Sequence, residues 1–236
     1  MRRRSRASGK VATARSRKAK AARHSSSSVI GQETEVARLR RELSEAFEQQ
    51  TATSEVLKVI SSSAGDLKPV FETILAKAVG LCHAEFGVFW LREGDRFRSV
   101  ALHNIPLSHR QSRERDPLVQ FGPYSGGGRA IRTKSVVHIA DLMNDEGYLK
   151  RDPRLVTLVE AGGARAALFT PLLKDNEVIG ILAPFRQEVG PFTDKQIELV
   201  QSFAAQAVIA IENARLLNEL RESLQQIGRA SCRERV

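Results

Sequence analysis

Residues 166–200 read AALFTPLLKDNEVIGILAPFRQEVGPFTDKQIELV, and this stretch decides the fold. Two apolar runs, Ala166–Leu173 and Val178–Pro184, predict buried strands. The polar residues 174–177 between them predict a tight hairpin, so the two strands should pair antiparallel. We therefore expect a sheet with antiparallel neighbours at the centre of the domain.

The end of the same stretch predicts the start of a long helix. Thr193 and Gln196 have the spacing of a capping box, and Phe192 and Ile197 can form the hydrophobic staple around it. Apolar residues then recur at spacings of three and four: Ile197, Val200, Ala204, Ala207, Ile211, Ala214, Leu217, Leu220 and Leu224. Such a helix, assigned to 193–226, extends beyond the face of one domain, so its far end is expected to pair with a partner.

The strand pattern also occurs earlier in the chain. Phe86–Leu91 and Phe97–Leu102 flank a glycine-containing turn, and Val136–Ile139 predicts a further strand. Asp66 can cap a helix that continues to about Cys82. Two hairpins with helices before, between and after them predict an α+β fold, in which an antiparallel sheet packs against helices.

Residues 31–62 predict a coiled-coil helix ahead of the sheet. Apolar or small residues fall at a and d spacing: Val36, Leu39, Leu43, Ala46, Leu57 and Ile60. Gln50 and Thr53 interrupt this stripe and can set the register of a parallel dimer. The alternative is a single amphipathic helix lying on its own domain. We favour the dimer because residues 36–47 have no folded neighbour in sequence on which to lie.

Five segments together carry a resemblance to a known family: EQQTATSEVLKVISSS (48–63), DLKPVFETIL (66–75), GRAIRTKSVVHIADL (128–142), TPLLKDNEVIGIL (170–182) and VGPFTDKQIELVQSFAAQAVIAIENARLLNELR (189–221). Over about 38–226 the chain resembles the GAF domain of bacterial multidomain sensor histidine kinases. The resemblance implies a six-stranded antiparallel sheet with helices on both sides and a small-molecule pocket. The expected fold class is α+β, a GAF-like antiparallel sheet with flanking helices, entered and left through coiled-coil helices. Its sensory domain is assigned to 63–192.

Candidate ligand-pocket residues lie around the predicted sheet: His103, Phe121, Tyr124, Arg129, His138 and Arg165. Strand alternation puts His138 on the opposite face from Val137 and Ile139, so it faces either water or the pocket. Resemblance to haem-sensing family members would make His103 or His138 a candidate iron ligand, although neither sits in a diagnostic motif. We predict no metal site, and the cofactor remains unassigned.

The segment Ser125–Arg129 contains three consecutive glycines. One interpretation is an anion cradle, because glycines expose backbone N–H groups at the start of a helix and Arg129 adds positive charge. The other is a helix start capped by Ser125, and we favour this interpretation because a triple glycine alone is a weak signal.

Catalytic signatures are missing from the sequence. There is no His-Glu-x-x-His, no Gly-x-Ser-x-Gly and no phosphate-binding Gly-Lys-Ser/Thr motif. Cys82 has no resolving partner once Cys232 is discounted, because Cys232 lies in the last ten residues, which resemble an adapter translation; we therefore predict a buried structural cysteine rather than bilin attachment or redox chemistry. The residues that mark cyclic-nucleotide-binding relatives are also missing, which argues against cyclic GMP. The predicted role is regulatory and not enzymatic.

The net charge of +10 lies in the N-terminal tail. Residues 1–24 hold ten basic and no acidic residues, so the remaining 27 basic residues equal the 27 acidic ones. Residues 1–30 predict a disordered basic tail, whose residues 2–23 either contact nucleic acid or an anionic membrane weakly, or only solubilise the chain. No apolar run is long enough for a signal peptide or a transmembrane segment, so a cytoplasmic location is expected.

Residues 227–236, IGRASCRERV, resemble the translation of a sequencing adapter. We therefore expect the natural sequence to continue differently after Gln226, with any output domain beyond that point. The sequence as a whole predicts a cytoplasmic GAF sensory module, part of a bacterial sensor histidine kinase, that binds an unidentified small ligand and forms a homodimer. The alternatives are a nucleic-acid-associated adaptor docked by its basic tail, and a dimerising spacer without a ligand.

Overall fold

A computed structural model of the chain describes residues 14–62, 66–107, 110 and 116–233. The chain divides into two compact units, residues 1–50 and 51–236. In the first unit the chain forms the earlier part of helix α1 (Ala14–Ser62). Four apolar side chains of the predicted stripe region are exposed there: Val36, Leu39, Leu43 and Phe47.

Helix α1 begins at Ala14, within the tail that the sequence predicts to be disordered. The reason is intrinsic propensity: alanine, arginine and lysine dominate residues 14–23, and extending an existing helix requires no new nucleus. The rest of the predicted tail, residues 1–13, lies outside the described residues.

The second unit contains the last part of α1 and the sheet with its helices. In chain order these are α2 (Lys68–Leu81), β1 (Phe86–Glu93), β2 (Arg96–His103), β3 (Leu118–Val119), α3 (Gly126–Thr133), β4 (Val137–Ile139), a 3₁₀ turn (Leu142–Asn144), α4 (Glu146–Leu149), α5 (Pro153–Glu160), β5 (Ala166–Lys174), β6 (Glu177–Arg186) and α6 (Asp194–Arg233). The six strands form one sheet in the order β3-β2-β1-β6-β5-β4, and every neighbouring pair is antiparallel. The predicted α+β fold is confirmed.

Strand alternation separates two hydrophobic cores, one on each face of the sheet. On β1, Phe89 points to the helix-side core, which also contains buried residues of α1, α2 and α6. Val88 and Trp90 point to the opposite face, the cavity-side core, together with Leu155 and Leu158 of α5. Successive side chains of a strand leave on opposite faces, so each core strand contributes to both layers.

Helix α2 packs very closely on the sheet. A Cβ atom on Gly87 would lie 2.7 Å from Val79 Cγ2 and 2.8 Å from Leu75 Cδ1, so glycine is needed at this point of β1. Leu67 occupies the N-cap position of this helix, one residue after the predicted cap Asp66, although Asp66 still accepts a hydrogen bond from the Lys68 backbone N–H at 3.1 Å.

The predicted capping box at the start of α6 is confirmed. The Thr193 backbone N–H donates to Gln196 Oε1 at 3.0 Å, and the Gln196 backbone N–H donates to Thr193 Oγ1 at 3.3 Å. The helix continues to Arg233, past the predicted end at 226. Within the residues described here, no helix has an apolar stretch long enough to cross a membrane.

The hairpin between β5 and β6 offers a test of turn chemistry. Its two loop residues, Asp175 and Asn176, have φ angles of 49° and 64°, in the left-handed region. Asparagine tolerates this region and alanine does not, so we expect Asn176→Ala to lower the free energy of unfolding by about 1 kcal/mol. Asn176→Gly should raise it by roughly 0.5 kcal/mol. Urea denaturation measures both changes.

The control for this experiment is Asn218→Ala on the exposed side of α6. In a helix alanine is the better residue, so this substitution should be neutral or slightly stabilising. If both alanine variants change stability in the same direction, backbone strain at the hairpin is not what selects Asn176.

Candidate functional site

A cavity lies between the cavity-side face of the sheet and the segments that cover it. It encloses about 460 Å³, including the space at its open mouth. Its lining residues come from five strands and helices and the loops beside them: Val88, Trp90, Val119, Phe121, Gly122, Ser125, Asp152, Arg154, Leu155, Leu158, Phe169 and Phe185. Most of this lining is apolar, with a few polar groups among the rings, which is the usual character of a small-molecule site.

Aromatic side chains form much of the cavity wall. Phe121 lies edge-on to Trp90, with ring centroids 5.4 Å apart, and edge-on to Phe97 at the same separation. Phe169 lies edge-on to Phe185 at 5.7 Å. Edge-to-face contacts of this kind stabilise aromatic clusters beyond simple burial. The wall is therefore built from rings that hold each other in place.

The glycine run at the start of α3 allows close packing beside the cavity. A Cβ on Gly126 would lie 2.3 Å from the Phe169 ring, and one on Gly127 would lie 2.3 Å from the Phe121 ring. Ser125 caps the helix, because its Oγ accepts from the Gly128 backbone N–H at 3.1 Å and donates to the Gly122 carbonyl at 2.7 Å. The predicted cap is present, and contact with the wall rings accounts for these glycines.

Two charged side chains line the cavity at the start of α5. Asp152 Oδ1 accepts from the backbone N–H groups of Arg154 at 3.0 Å and Leu155 at 3.4 Å, so it caps the helix. The Arg154 guanidinium reaches Asp116 Oδ2 at 3.3 Å and the Leu118 carbonyl at 3.4 Å. Both of these last contacts are at the long limit for a hydrogen bond.

The structure brings only part of the predicted site together. Phe121 lines the cavity, and Tyr124 and Arg129 lie on either side of the glycine turn. Tyr124 is 42% exposed, with the Lys150 ammonium 3.3 Å from its ring centroid. Arg129 pairs with the buried carboxylate of Asp145, whose other oxygen accepts from the Gly147 backbone N–H.

Of the six predicted residues only Phe121 lines the cavity, and the remaining three lie elsewhere around the sheet. His103 ends β2, opposite Gly87 of β1. Arg165 pairs with Asp141 at 3.2 Å. His138 Nε2 accepts a hydrogen bond from the Phe192 backbone N–H at 2.9 Å, beside the start of α6. Of the two outcomes that strand alternation allows for His138, the structure gives the one directed away from the cavity.

Sequence reasoning missed the cavity residues of α5 and the wall residues of the central strands. A usable signal was present for α5, because Asp152 and Pro153 form a typical helix start and Leu155, Leu158 and Val159 follow at helical spacing. No local signal marks Trp90, Phe169 and Phe185 as neighbours, because they come from different strands.

Arg186, the last residue of β6, connects three segments beside the start of α6. Its Nη2 donates to the Cys82 carbonyl at 2.6 Å and to Gln196 Oε1 at 2.9 Å, and its Nη1 donates to the Pro191 carbonyl at 3.1 Å. The guanidinium carbon also lies 4.1 Å from the centroid of the Phe192 ring. We call this group the junction, defined as Cys82, Arg186, Pro191, Phe192 and Gln196.

Within the junction, Cys82 is fully buried. Burial raises the pKa of its thiol to about 12, although the positive charge of Arg186 acts in the opposite direction. The thiol is therefore protonated at neutral pH and is a poor nucleophile. Within the described part of the chain, no group of three or more His, Cys, Asp or Glu side chains is arranged to hold a metal ion.

His138 should make the stability of the protein depend on pH. Partial burial lowers its pKa below 6.5, the nearby charge of Arg186 lowers it further, and the charge of Asp194 opposes them. Only the neutral ring can accept from the Phe192 N–H, so the folded state resists protonation. This contribution is complete above pH 6.5 and is lost as the pH falls below that value.

We expect the free energy of unfolding to fall between about pH 7 and pH 5, and to fall less in His138→Gln, whose side chain keeps a neutral acceptor. The carboxylates whose pKa values are lowered by neighbouring cations, Glu93, Glu146 and Glu212, start from 4.5 and titrate below this window. Urea denaturation across the window makes the comparison. Equal pH slopes for the two proteins would contradict the assignment.

Comparisons with known proteins agree with the fold. A sequence model of the GAF domain matches residues 66–211, more than half of the chain. No match is found among the curated proteins. The GAF domain of a phosphoenolpyruvate-protein phosphotransferase from Coxiella burnetii superposes with a TM-score of 0.59 at 14% identity, covering 74% of this chain and 98% of that one.

Two further solved structures share the fold. A free methionine-R-sulfoxide reductase from Neisseria meningitidis, in complex with its substrate, has a TM-score of 0.57 at 14% identity and covers 71% of this chain and 90% of its own. A domain of a putative two-component sensor histidine kinase protein from Sinorhizobium meliloti 1021 has a TM-score of 0.52 at 18% identity. The match covers 66% of this chain and 96% of that one. Because enzymes and signalling proteins both appear, the fold alone decides no reaction.

Proposed function

This chain belongs to the GAF domain family, and we propose that it is the sensory module of a bacterial signal-transduction protein, of the sensor histidine kinase type. In this proposal residues 63–192 form a cytoplasmic sensory domain that binds a small molecule in the cavity. Residues 31–62 and 193–226 are the helices through which two copies pair and through which a change at the cavity reaches an output domain.

The observation that carries this proposal is the adjacency of Phe185 and Arg186 on β6. Phe185 is part of the cavity wall, and Arg186 holds the start of α6 through the junction. Successive residues of a strand point to opposite faces, so a shift of β6 at the wall displaces a group on the other side of the sheet. A ligand in the cavity therefore has a short mechanical connection to the exit helix.

Such a ligand regulates only if it binds two arrangements of the module with different affinity. A ligand that binds both equally shifts no population, however tightly it binds. We propose that the two arrangements differ in how the first turn of α6 is held at the junction. Rotation or sliding of a long helix then carries the difference along its length.

Helix α6 also supports the proposal of a dimer. Its apolar stripe is buried on the sheet as far as Ala214, which is 6% exposed. The same stripe then emerges at Leu217, Leu220 and Leu224, which are 43%, 57% and 59% exposed. A row of exposed leucines at coiled-coil spacing is typical of a helix that pairs with another helix. We propose that a second copy of this chain covers the row.

The dimer is tested by sedimentation of the full chain. We expect a dimer for the natural sequence and a monomer for Leu220→Glu. The control is Leu149→Glu, since Leu149 is an exposed leucine of α4 and is 67% exposed. A monomer at high concentration for the natural sequence, or loss of the dimer in both variants, would contradict pairing through α6.

Ligand binding is tested through Trp90, the one tryptophan of the chain, which lies in the cavity wall. Amino acids, organic acids, nucleotides and aromatic metabolites are each titrated into the protein while the fluorescence of Trp90 is recorded. We expect at least one binder, and we expect that binder to change hydrogen exchange in the first turns of α6. No response of Trp90 to any of these classes would favour a dimerising spacer with an empty cavity.

We propose a regulatory rather than a catalytic role for this module. Support comes from Cys82, the one cysteine among the side chains that the structure describes, which is buried and protonated. A thiol catalyst needs an accessible thiolate, so this residue is unsuited to reductase chemistry. Any kinase activity would belong to a domain outside this chain.

The basic tail supports a second candidate, an adaptor that docks on nucleic acid. Its ten basic residues within residues 1–24 carry the net charge of the chain. DNA binding by the full chain at low salt, lost when residues 1–24 are deleted, would support this function. No binding at low salt would remove it.

A further inference from the structure

The cavity lining contains two opposite charges, whereas the rest of the lining is mainly apolar. Asp152 and Arg154 stand two residues apart at the start of α5, and both line the cavity. Ser125, which also lines the cavity, already uses its hydroxyl as donor and acceptor within its own turn. Recognition of a polar ligand group therefore falls to the charged pair.

The two charges remain available for a ligand. Asp152 uses Oδ1 for the helix cap, and none of the hydrogen bonds found among the described residues uses Oδ2. This oxygen lies beside Gly122, which also lines the cavity, and a Cβ on Gly122 would be 2.4 Å from it. The Arg154 side chain is 40% exposed, and its contact with Asp116 at 3.3 Å is long and solvent-exposed. Exposed ion pairs of this kind are weak and exchange readily.

We propose that the cavity binds a free α-amino acid with an apolar or aromatic side chain, a proposal that rests on the sensory function above. The ligand carboxylate pairs with the Arg154 guanidinium, and the ligand ammonium pairs with Asp152 Oδ2. The side chain enters the apolar space between Trp90, Phe121 and Phe169.

Charge balance favours this class over simpler ligands. A carboxylate without an amine would satisfy Arg154 but would lie close to the like charge of Asp152. An amine without a carboxylate would meet the converse problem at Arg154. An α-amino acid carries both charges on neighbouring atoms, with its side chain on the same carbon, and so it matches a charged pair at the edge of an apolar space.

The experiment uses the full chain and the fluorescence of Trp90. L-Leucine, L-methionine and L-phenylalanine are compared with 3-phenylpropionate and phenethylamine, which each keep one of the two charges of phenylalanine. We expect the amino acids to bind at least about tenfold more tightly than either analogue, since each charged hydrogen bond lost costs more than 1 kcal/mol. Equal binding of L-phenylalanine and one analogue would overturn the proposal.

Two variants measure separately what Asp152 and Arg154 contribute to ligand binding. Asp152→Asn keeps a good helix cap and removes the negative charge, and Arg154→Gln removes the positive charge. Each should weaken amino-acid binding by about tenfold or more. Asp152→Asn should not weaken the binding of 3-phenylpropionate, and Arg154→Gln should not weaken the binding of phenethylamine. The control Arg96→Gln, which removes an exposed charge from the start of β2, should leave all affinities unchanged.

The outcomes separate this inference from the function on which it rests. If Trp90 responds to another class of metabolite but to no amino acid, the sensory function stands and the amino-acid assignment fails. If Asp152→Asn weakens every ligand equally, Asp152 acts only as a structural cap and the assignment also fails. If no ligand of any class changes the fluorescence of Trp90, the amino-acid assignment and the sensory function fail together.

Discussion

Replacement of Gly128 by alanine is expected to lower the free energy of unfolding by about 3 kcal/mol or more, although alanine is the better helix former by about 1 kcal/mol. A Cβ at this position would lie 2.0 Å from the carbonyl oxygen of Gly122 and 3.0 Å from its carbonyl carbon. Both atoms belong to the backbone, so no side-chain rotation relieves the overlap. Relief requires the turn that carries Ser125 and part of the cavity wall to move.

The matched control is Gly80→Ala, near the end of α2. A Cβ there meets no atom within 4 Å, so the variant should gain about 0.5–1 kcal/mol from helix propensity. Urea denaturation measures both variants, and the fluorescence of Trp90 reports whether the wall has moved. Stabilisation by both substitutions would mean that the turn before α3 is not closely packed.

Replacement of Arg186 by methionine is expected to cost about 2–4 kcal/mol and to loosen the start of α6. Methionine keeps the length of the side chain but loses the hydrogen bonds to the Cys82 and Pro191 carbonyls and to Gln196. Hydrogen bonds from a charged donor contribute roughly 1.5–3 kcal/mol each, and the charge over the Phe192 ring is lost as well. The carbonyl of buried Cys82 is left without this donor.

Two measurements test this expectation. Urea denaturation gives the loss of stability, and hydrogen exchange of residues 194–200 should become faster than in the natural protein. The control is Arg215→Met, whose side chain pairs with Glu212 and Glu219 on the exposed surface of α6. Exposed pairs contribute little, so this variant should change stability by less than about 1 kcal/mol. Equal effects of the two variants would remove the junction as the link between cavity and exit helix.

Several parts of the fold could be predicted because their causes are local. The hairpin between β5 and β6 follows from polar residues that tolerate positive φ between two apolar runs. The start of α6 follows from a four-residue box whose two hydrogen bonds are both present. The cap at Ser125 follows from the same chemistry. In each case a few neighbouring residues contain the whole physical reason.

Other parts could not be predicted because their causes are not local. The glycine run before Arg129 allowed either an anion cradle or a capped helix. Contact with the rings of Phe169 and Phe121 and with the Gly122 backbone explains why glycine is needed there. Alternation allowed His138 to face either of two surroundings, and the hydrogen bond from Phe192 decided between them. The physical reason is that packing depends on which segments meet.

Sequence alone determined five of the six strands, the caps of α3 and α6, the antiparallel hairpins and the long stripe of α6, since turn chemistry, helix capping and hydrophobic periodicity act over a few residues. The tertiary structure alone decided the cavity. Trp90, Phe121, Arg154 and Phe185 lie far apart in the chain and meet only when β1, β6 and the covering segments close over one another. A surface assembled from such distant residues has no local signature, because its geometry comes into existence with the packing of the sheet.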